Sequence, residues 1–280
     1  MSCGTRSANN TCDKSLDATI TGCDKLIAFL LLRTIEALVF AETRESWKKC
    51  DSYPWYNSGM NGRSFEPFVD RTQAGVELAK ALEEYRGSGA LVLGVPRGGV
   101  VVAHEVARSL GLQLDVVVPR KIGAPGQPEL AIGAISSWGG GQALIDERTS
   151  RYLGVTRDYI SAEVARQEAE VERRLLAYRG TSDPPDVSGR IVLVVDDGVA
   201  TGYTTRASLA AVRGLGAKDI VLAVPVGPPD SISELSRFAD RVVCLQTPAM
   251  FTAVGCWYEH FEQTSDQEVL ALLGKQRTDP

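Results

Sequence analysis

The chain has 280 residues, of which 44% are hydrophobic, 23% charged and only 7% aromatic. This is the composition of a globular protein with enough chain for a substantial core. Its formal net charge of −5 and the lack of a basic stripe argue against a nucleic-acid partner. No apolar run approaches the roughly 20 residues that a membrane helix needs.

The first 59 residues stand apart. They hold four of the six cysteines (Cys3, Cys12, Cys23 and Cys50) at spacings that fit no zinc site. Disulfides are the alternative, but the α/β body that follows points to a reducing, cytoplasmic compartment. The run LIAFLLL at residues 26–32 lies too far from the start, and behind acidic residues, to be a signal segment. It reads instead as part of a short amphipathic helix over residues 26–40. Residues 1–59 are therefore expected to be an extension, either a poorly ordered tail or a segment upstream of a natural start at Met60. Residues 60–280 are expected to form one domain.

In that body, residues 68–85 show helical spacing, with Asp70 as N-cap. A strand follows at residues 90–95, then the turn Pro96-Arg97-Gly98-Gly99 and a helix closed by Gly111. A second strand over residues 114–118 leads into residues 119–129. The prolines and glycines there predict an irregular, mobile loop that starts with Arg120 and Lys121. Residues 130–136 and 142–145 flank Gly139-Gly140-Gly141 and read as a hairpin. Residues 159–178 form a long charged helix with Ile160, Val164, Val171 and Leu175 on one face. After the central stretch described next come strands at 220–226 and 241–245, a helix from Pro228-Pro229, an aromatic-rich segment at 247–261 and a last helix from Asp266. Strands that alternate with helices predict a doubly wound parallel sheet with a small insertion. Ligands in such sheets bind beyond the carboxyl ends of the strands. His104 is read as a surface or satisfied residue of its helix. Cys244 and Cys256 are read as core.

The centre of the chain is residues 191–205, IVLVVDDGVATGYTT. Five apolar residues predict a strand buried on both faces. Asp196 and Asp197 stand at its end, before the small-residue turn from Gly198 to Gly202 and a helix opened by Tyr203, Thr204 and Thr205. Backbone N–H groups at a helix N-terminus favour an anion, and the threonine hydroxyls can add donors. The two carboxylates can accept hydrogen bonds from sugar hydroxyls or stand near a hydrated Mg²⁺. Together these groups suit a phosphorylated sugar. No dinucleotide fingerprint or P-loop signature occurs.

The stretch VLVVDDGVATGYT resembles the PRPP-binding motif of the type I phosphoribosyltransferases, except that Gly198 stands where most members carry an apolar residue. The wording PRGG, RKIGAPGQPELAIGA, VDDGVATG and VGCWYE is most similar to bacterial members of unassigned acceptor, and the likeness covers residues 68–273. The resemblance implies the family's doubly wound sheet with a small hood, and transfer of 5-phosphoribose from PRPP to a nitrogenous acceptor, such as a nucleobase, with release of pyrophosphate. It places the 5′-phosphate on Ala200, Thr201, Gly202, Tyr203, Thr204 and Thr205, and the ribose on Asp196 and Asp197. It places the pyrophosphate on Arg97, Gly98 and Gly99, with Arg120 and Lys121 on a mobile loop that closes over it. Phe251 and Val254 fall in the acceptor hood. It implies Mg²⁺ carried mainly by the pyrophosphate, with no dedicated protein metal ligands, and is compatible with a homo-oligomer. Two other classes keep the same acidic pair and turn: a PRPP-sensing module without turnover, and a hydrolase of a phosphoribosyl compound.

Overall fold

The structure is a computed structural model and describes residues 66–139 and 142–278. The expectations for residues 1–59, including the helix at 26–40, lie outside the described residues. The central sheet has five parallel strands: β1 (Leu91–Gly94), β2 (Gln113–Val116), β6 (Ile191–Val195), β7 (Asp219–Val226) and β8 (Arg241–Gln246). Their order across the sheet is β2-β1-β6-β7-β8. The chain winds outward in both directions from the β1/β6 pair, so the topological switch point lies between the ends of these two strands.

Side-chain alternation explains why the central strands read as unbroken apolar runs. Val92, Leu193, Val195 and Val221 point to one face, where α1 (Arg71–Ala81) and α2 (Gly98–Leu110) supply Leu78, Val102, Val106 and Leu110. Leu93, Val192, Val194 and Leu222 point to the other, beneath Leu209 and Val212 of α5 (Tyr203–Gly214) and Leu235 of α6 (Pro229–Leu235). β1, β6 and β7 thus bury both faces, whereas the flanking β2 and β8 are partly exposed. Asp70 caps α1 by accepting from the Gln73 N–H at 2.7 Å, as its position predicts. The α-helix closes at Ala81, and a single 3₁₀ turn carries the chain on to Tyr85. His104 is buried within α2, not at the surface.

The insertion departs from the sequence reading. Residues 119–129 are not an irregular loop: they form β3 (Pro119–Ala124) and the start of β4 (Gln127–Ser136), paired antiparallel. The prolines do not prevent this: Pro119 begins a strand, Pro125 lies in the turn, and Pro128, the second residue of β4, falls within the shift in register, where no regular ladder bond is required. The register shifts on both sides of Gly123, and a Cβ there would lie 2.5 Å from the Pro128 carbonyl. A glycine at a bulge is what lets the two strands approach. Gly126 forms the turn with φ +71°. β4 also pairs with β5 (Leu144–Ile145), which gives the expected second hairpin; Gly140 and Gly141 of its connection lie outside the described residues. The short α3 (Glu147–Tyr152) follows, then α4 (Arg157–Arg179), whose Val171 and Leu175, with Ile160 and Val164 beside them, seal Ile122, Leu130, Ile132 and Ile135 of the hairpin. The last helix, α7 (Asp266–Thr278), adds Val269 and Leu273 to that cluster. Among the described residues no helix is long and apolar enough to cross a membrane.

Candidate active site

Asp196 and Asp197 emerge from the end of β6 at the switch point. Pleat alternation alone would send consecutive side chains to opposite sides. The chain bends instead: the Asp197 N–H donates to Asp196 Oδ1 at 2.9 Å. Both carboxylates then lie beneath the turn that follows β1. A Cβ at Gly98 would stand 2.0 Å from Asp197 Oδ2, and one at Gly99 would stand 2.7 Å from Asp196 Oδ1. Only glycine permits this approach, which is the physical reason for the Gly98-Gly99 pair. Burial, and secondarily the neighbouring Asp197 charge, hold the Asp196 carboxyl well above the usual carboxylate range.

The pair is not left without a counter-charge. Arg71, from the first turn of α1, donates through Nε to Asp197 Oδ2 at 2.7 Å, and the Tyr258 hydroxyl donates to the Asp197 carbonyl at 2.5 Å. Sequence reasoning missed Arg71 because it lies 126 positions from its partner and belongs to no local motif.

The turn after the acidic pair explains the unusual Gly198. A Cβ there would lie 2.5 Å from Val254 Cγ1 and 3.1 Å from Val226 Cγ1. Val254, across from the turn, fills the space that a side chain at position 198 would need. Gly202, with φ +75°, precedes α5 and no side chain caps that helix, so its first N–H groups are left for another acceptor. Thr201 is exposed, Thr204 half-buried and Thr205 buried. The Ala200 carbonyl accepts from Ser231 Oγ at 2.6 Å, which fixes the turn to α6.

Tyr203 reaches from this helix end to the insertion. Its hydroxyl donates to Asp146 Oδ2 at 2.7 Å, and Asp146 also caps α3 through the N–H groups of Arg148 and Thr149. Burial raises the Asp146 carboxyl, but the bonds from Thr149, Tyr203 and Arg148 outweigh it and hold the group below its ordinary value. Burial, then Asp146, push the Tyr203 phenol up. A cavity of about 380 Å³ lies at the turn that opens α5, lined by Thr201, Gly202 and Tyr203 together with Asp146, Arg206 and Ser231. Its lining includes neither Asp196 nor Asp197, but it takes in Thr201 and Gly202 of that turn. Tyr203→Phe is expected to cost about 1.5 kcal/mol of stability, the loss of one hydrogen bond to a charged acceptor. Denaturant unfolding checks this, and an unchanged midpoint would show that the bond contributes nothing.

The cations that the sequence groups together are separated. Arg97, about one-third exposed, precedes α2 across a cis Pro96–Arg97 peptide, and its Nη1 lies 4.0 Å from Asp266 Oδ1. Lys121 is exposed on β3, with Nζ 3.9 Å from Glu129 Oε2 on β4. Arg120, its neighbour on the strand, turns to α4 instead, where Nε donates to Gln167 Oε1 at 2.9 Å. Gln167 in turn donates to the buried Glu163 at 2.7 Å. Burial and the nearby Arg174 lower the Arg120 guanidinium from its ordinary value. In the hood, Phe251 stacks on the buried Trp257, with ring centres 6.3 Å apart and planes inclined by 12°.

A parallel sheet whose switch point holds a paired carboxylate between two glycine-bearing turns, with an antiparallel insertion and an aromatic hood, defines the type I phosphoribosyltransferase arrangement. The family model for the phosphoribosyl transferase domain matches residues 72–260. Over 212 residues, 76% of this chain, the sequence is 45% identical to "Putative phosphoribosyl transferase Rv0571c" of Mycobacterium tuberculosis (strain ATCC 25618 / H37Rv), covering 47% of that protein. Identity and coverage are the same for "Putative phosphoribosyl transferase MT0597" of strain CDC 1551 / Oshkosh. The crystal structure of TT1426 from Thermus thermophilus aligns with a TM-score of 0.63 at 43% identity, covering 75% of this chain and 99% of that one. The chain belongs to the phosphoribosyl transferase family. It spans about half the length of the curated relatives it matches.

Proposed function

We propose that this chain uses PRPP to transfer 5-phosphoribose to a nitrogenous acceptor with release of pyrophosphate. The observation that carries this reading is the seating of Asp196 and Asp197 side by side between the Gly98-Gly99 turn and the turn that opens α5. In such a transfer C1′ becomes oxocarbenium-like as its bond to pyrophosphate breaks. The protein must hold the 5′-phosphate, orient the ribose and stabilise the departing charge. The uncapped N–H groups of α5, with Thr201 and Thr204, suit the first task. The acidic pair suits the second, as paired acceptors for ribose hydroxyls. Arg97 and Lys121, both reaching solvent, suit the third.

Mg²⁺ fits this donor set as an ion carried by the pyrophosphate. Asp197 is already engaged by Arg71, and two carboxylates alone do not make the near-complete oxygen shell of a dedicated protein site. When bound, the ion supplies charge neutralisation on the pyrophosphate oxygens. A second reading, a PRPP-binding module without turnover, draws support from the docking of β3 on α4 by Arg120 and by the Tyr159 hydroxyl, which donates to the Gly123 carbonyl at 3.0 Å. Pyrophosphate release measured with PRPP, Mg²⁺ and a panel of nucleobases and amines separates the readings. Binding with no release across the panel favours the module, and release without an added acceptor favours a hydrolase.

Lys121→Ala tests the leaving-group role. It is expected to lower kcat by about 10–100-fold with less than a threefold change in PRPP affinity, because Lys121 is exposed and its contact with Glu129 is long, so it can turn to developing charge. Equal losses of rate and affinity would make it a ground-state binding residue instead.

A further inference from the structure

We propose that Arg71 is a positioning residue for ribose recognition: its guanidinium fixes Asp197 beneath the Gly98 turn and ties that carboxylate to the hood. The proposal rests on the PRPP reading above and adds a residue outside the motifs on which that reading stands.

Arg71 occupies the first turn of α1, where the helix dipole disfavours a cation. Local helix stability therefore does not account for it, whereas its tertiary contacts do. Nε donates to Asp197 Oδ2 at 2.7 Å, Nη1 donates to the Glu262 carbonyl at 2.8 Å, and the planar group lies 3.7 Å over the Phe261 ring centre. The two charged side chains are only 12% and 16% exposed. The bridge also runs against the Gly98-Gly99 turn: a Cβ at Gly98 would meet Arg71 Nε at 2.6 Å as well as Asp197 Oδ2.

Asp197 is consequently held from three directions. Arg71 takes one carboxylate oxygen, Tyr258 takes the main-chain carbonyl, and Gly98 closes over the top. Arg71 engages Oδ2, so the orientation of the carboxylate is set before a sugar hydroxyl arrives. A carboxylate already aimed loses little freedom when the ribose arrives. The same guanidinium reaches the segment of residues 258–262 that packs with the hood aromatics, so the ribose acid and the hood share one anchor. Lysine could keep the charge but not the forked donors or the stacking.

The test compares two ligands on the full chain, PRPP with Mg²⁺ and pyrophosphate with Mg²⁺, by calorimetric titration. Only PRPP carries the ribose. For Arg71→Met the expected result is a PRPP Kd weakened by about 10–100-fold with pyrophosphate affinity within about threefold of wild type. Arg71→Lys should recover part of the PRPP affinity. A residue that merely props up the fold would lower both affinities together, and that outcome, or no change in either, overturns the proposal. Should Arg71→Met fail to fold, Arg71→Lys decides alone, with PRPP weakened at least about fivefold and pyrophosphate unchanged as the supporting result. A wild-type chain that binds pyrophosphate but not PRPP would instead overturn the functional reading beneath it.

Discussion

Asp196→Asn combined with Asp197→Asn is expected to weaken PRPP binding by about two to four powers of ten. Amides keep the size of the carboxylates but lose charged acceptors, and hydrogen bonds to charged groups contribute roughly 1.5–3 kcal/mol each. The single variants should separate binding from stability. Asp196 sits where burial and its neighbour disfavour the charged form, so Asp196→Asn removes an unfavourable charge and should leave the melting temperature close to wild type. Asp197→Asn breaks the ion pair with Arg71 and leaves that largely buried guanidinium without its charged partner. Its cost should be about 2–4 kcal/mol, somewhat below that of breaking a fully buried pair, since both groups retain a little exposure. Calorimetry with PRPP and Mg²⁺ and thermal melts of the three variants check both parts. Wild-type affinity in the double variant would remove the aspartates from the site, and with them the proposed function.

The contrast between these two aspartates shows where the sequence is legible. The strand at residues 191–195, the acidic pair and the turn before α5 are encoded within fifteen consecutive residues, by local patterns of burial and small-residue turns. The same holds for the Asp70 cap and for Gly111 and Gly180, whose positive φ closes two helices. What fixes the site in place is long-range and leaves no local trace. Arg71 reaches across 126 positions, Val254 fills the space above Gly198, and Tyr203 finds Asp146 from 57 positions away. The Arg120–Lys121 pair shows the complementary failure. Proline and glycine content reads as loop, but Gly123 and Pro128 sit at a bulge, Pro119 at a strand start, and Pro125 and Gly126 in a turn. Once the segment is a strand, adjacent cations separate to different surroundings, and only Lys121 stays exposed. The acceptor is not legible for a related reason: Phe251 and Trp257 stack on each other, and their spacing alone does not say what else they contact.

Gly98→Ala is the second substitution with a large expected effect. The added methyl would stand 2.0 Å from Asp197 Oδ2 and 2.6 Å from Arg71 Nε, well inside van der Waals contact. These atoms are not loose ends of flexible chains, because each is held by the other and Arg71 is held further by Glu262 and Phe261. Either the Gly98-Gly99 turn must lift or the ion pair must open. Overpacking of this kind costs about 1–3 kcal/mol, and displacement of the carboxylate should weaken PRPP binding by about 100-fold or more. Gly214→Ala supplies the control: nothing lies within 4 Å of a Cβ at that position in α5, so stability should be unchanged or slightly raised. A double-mutant cycle identifies the cause. Asp197→Ala removes the atoms that the new methyl meets first, so the stability cost of Gly98→Ala should shrink by about 1 kcal/mol or more in that background. Strictly additive costs would mean that the turn moves aside without disturbing the carboxylate, and that the close seat of Asp197 beneath Gly98 is not what fixes it.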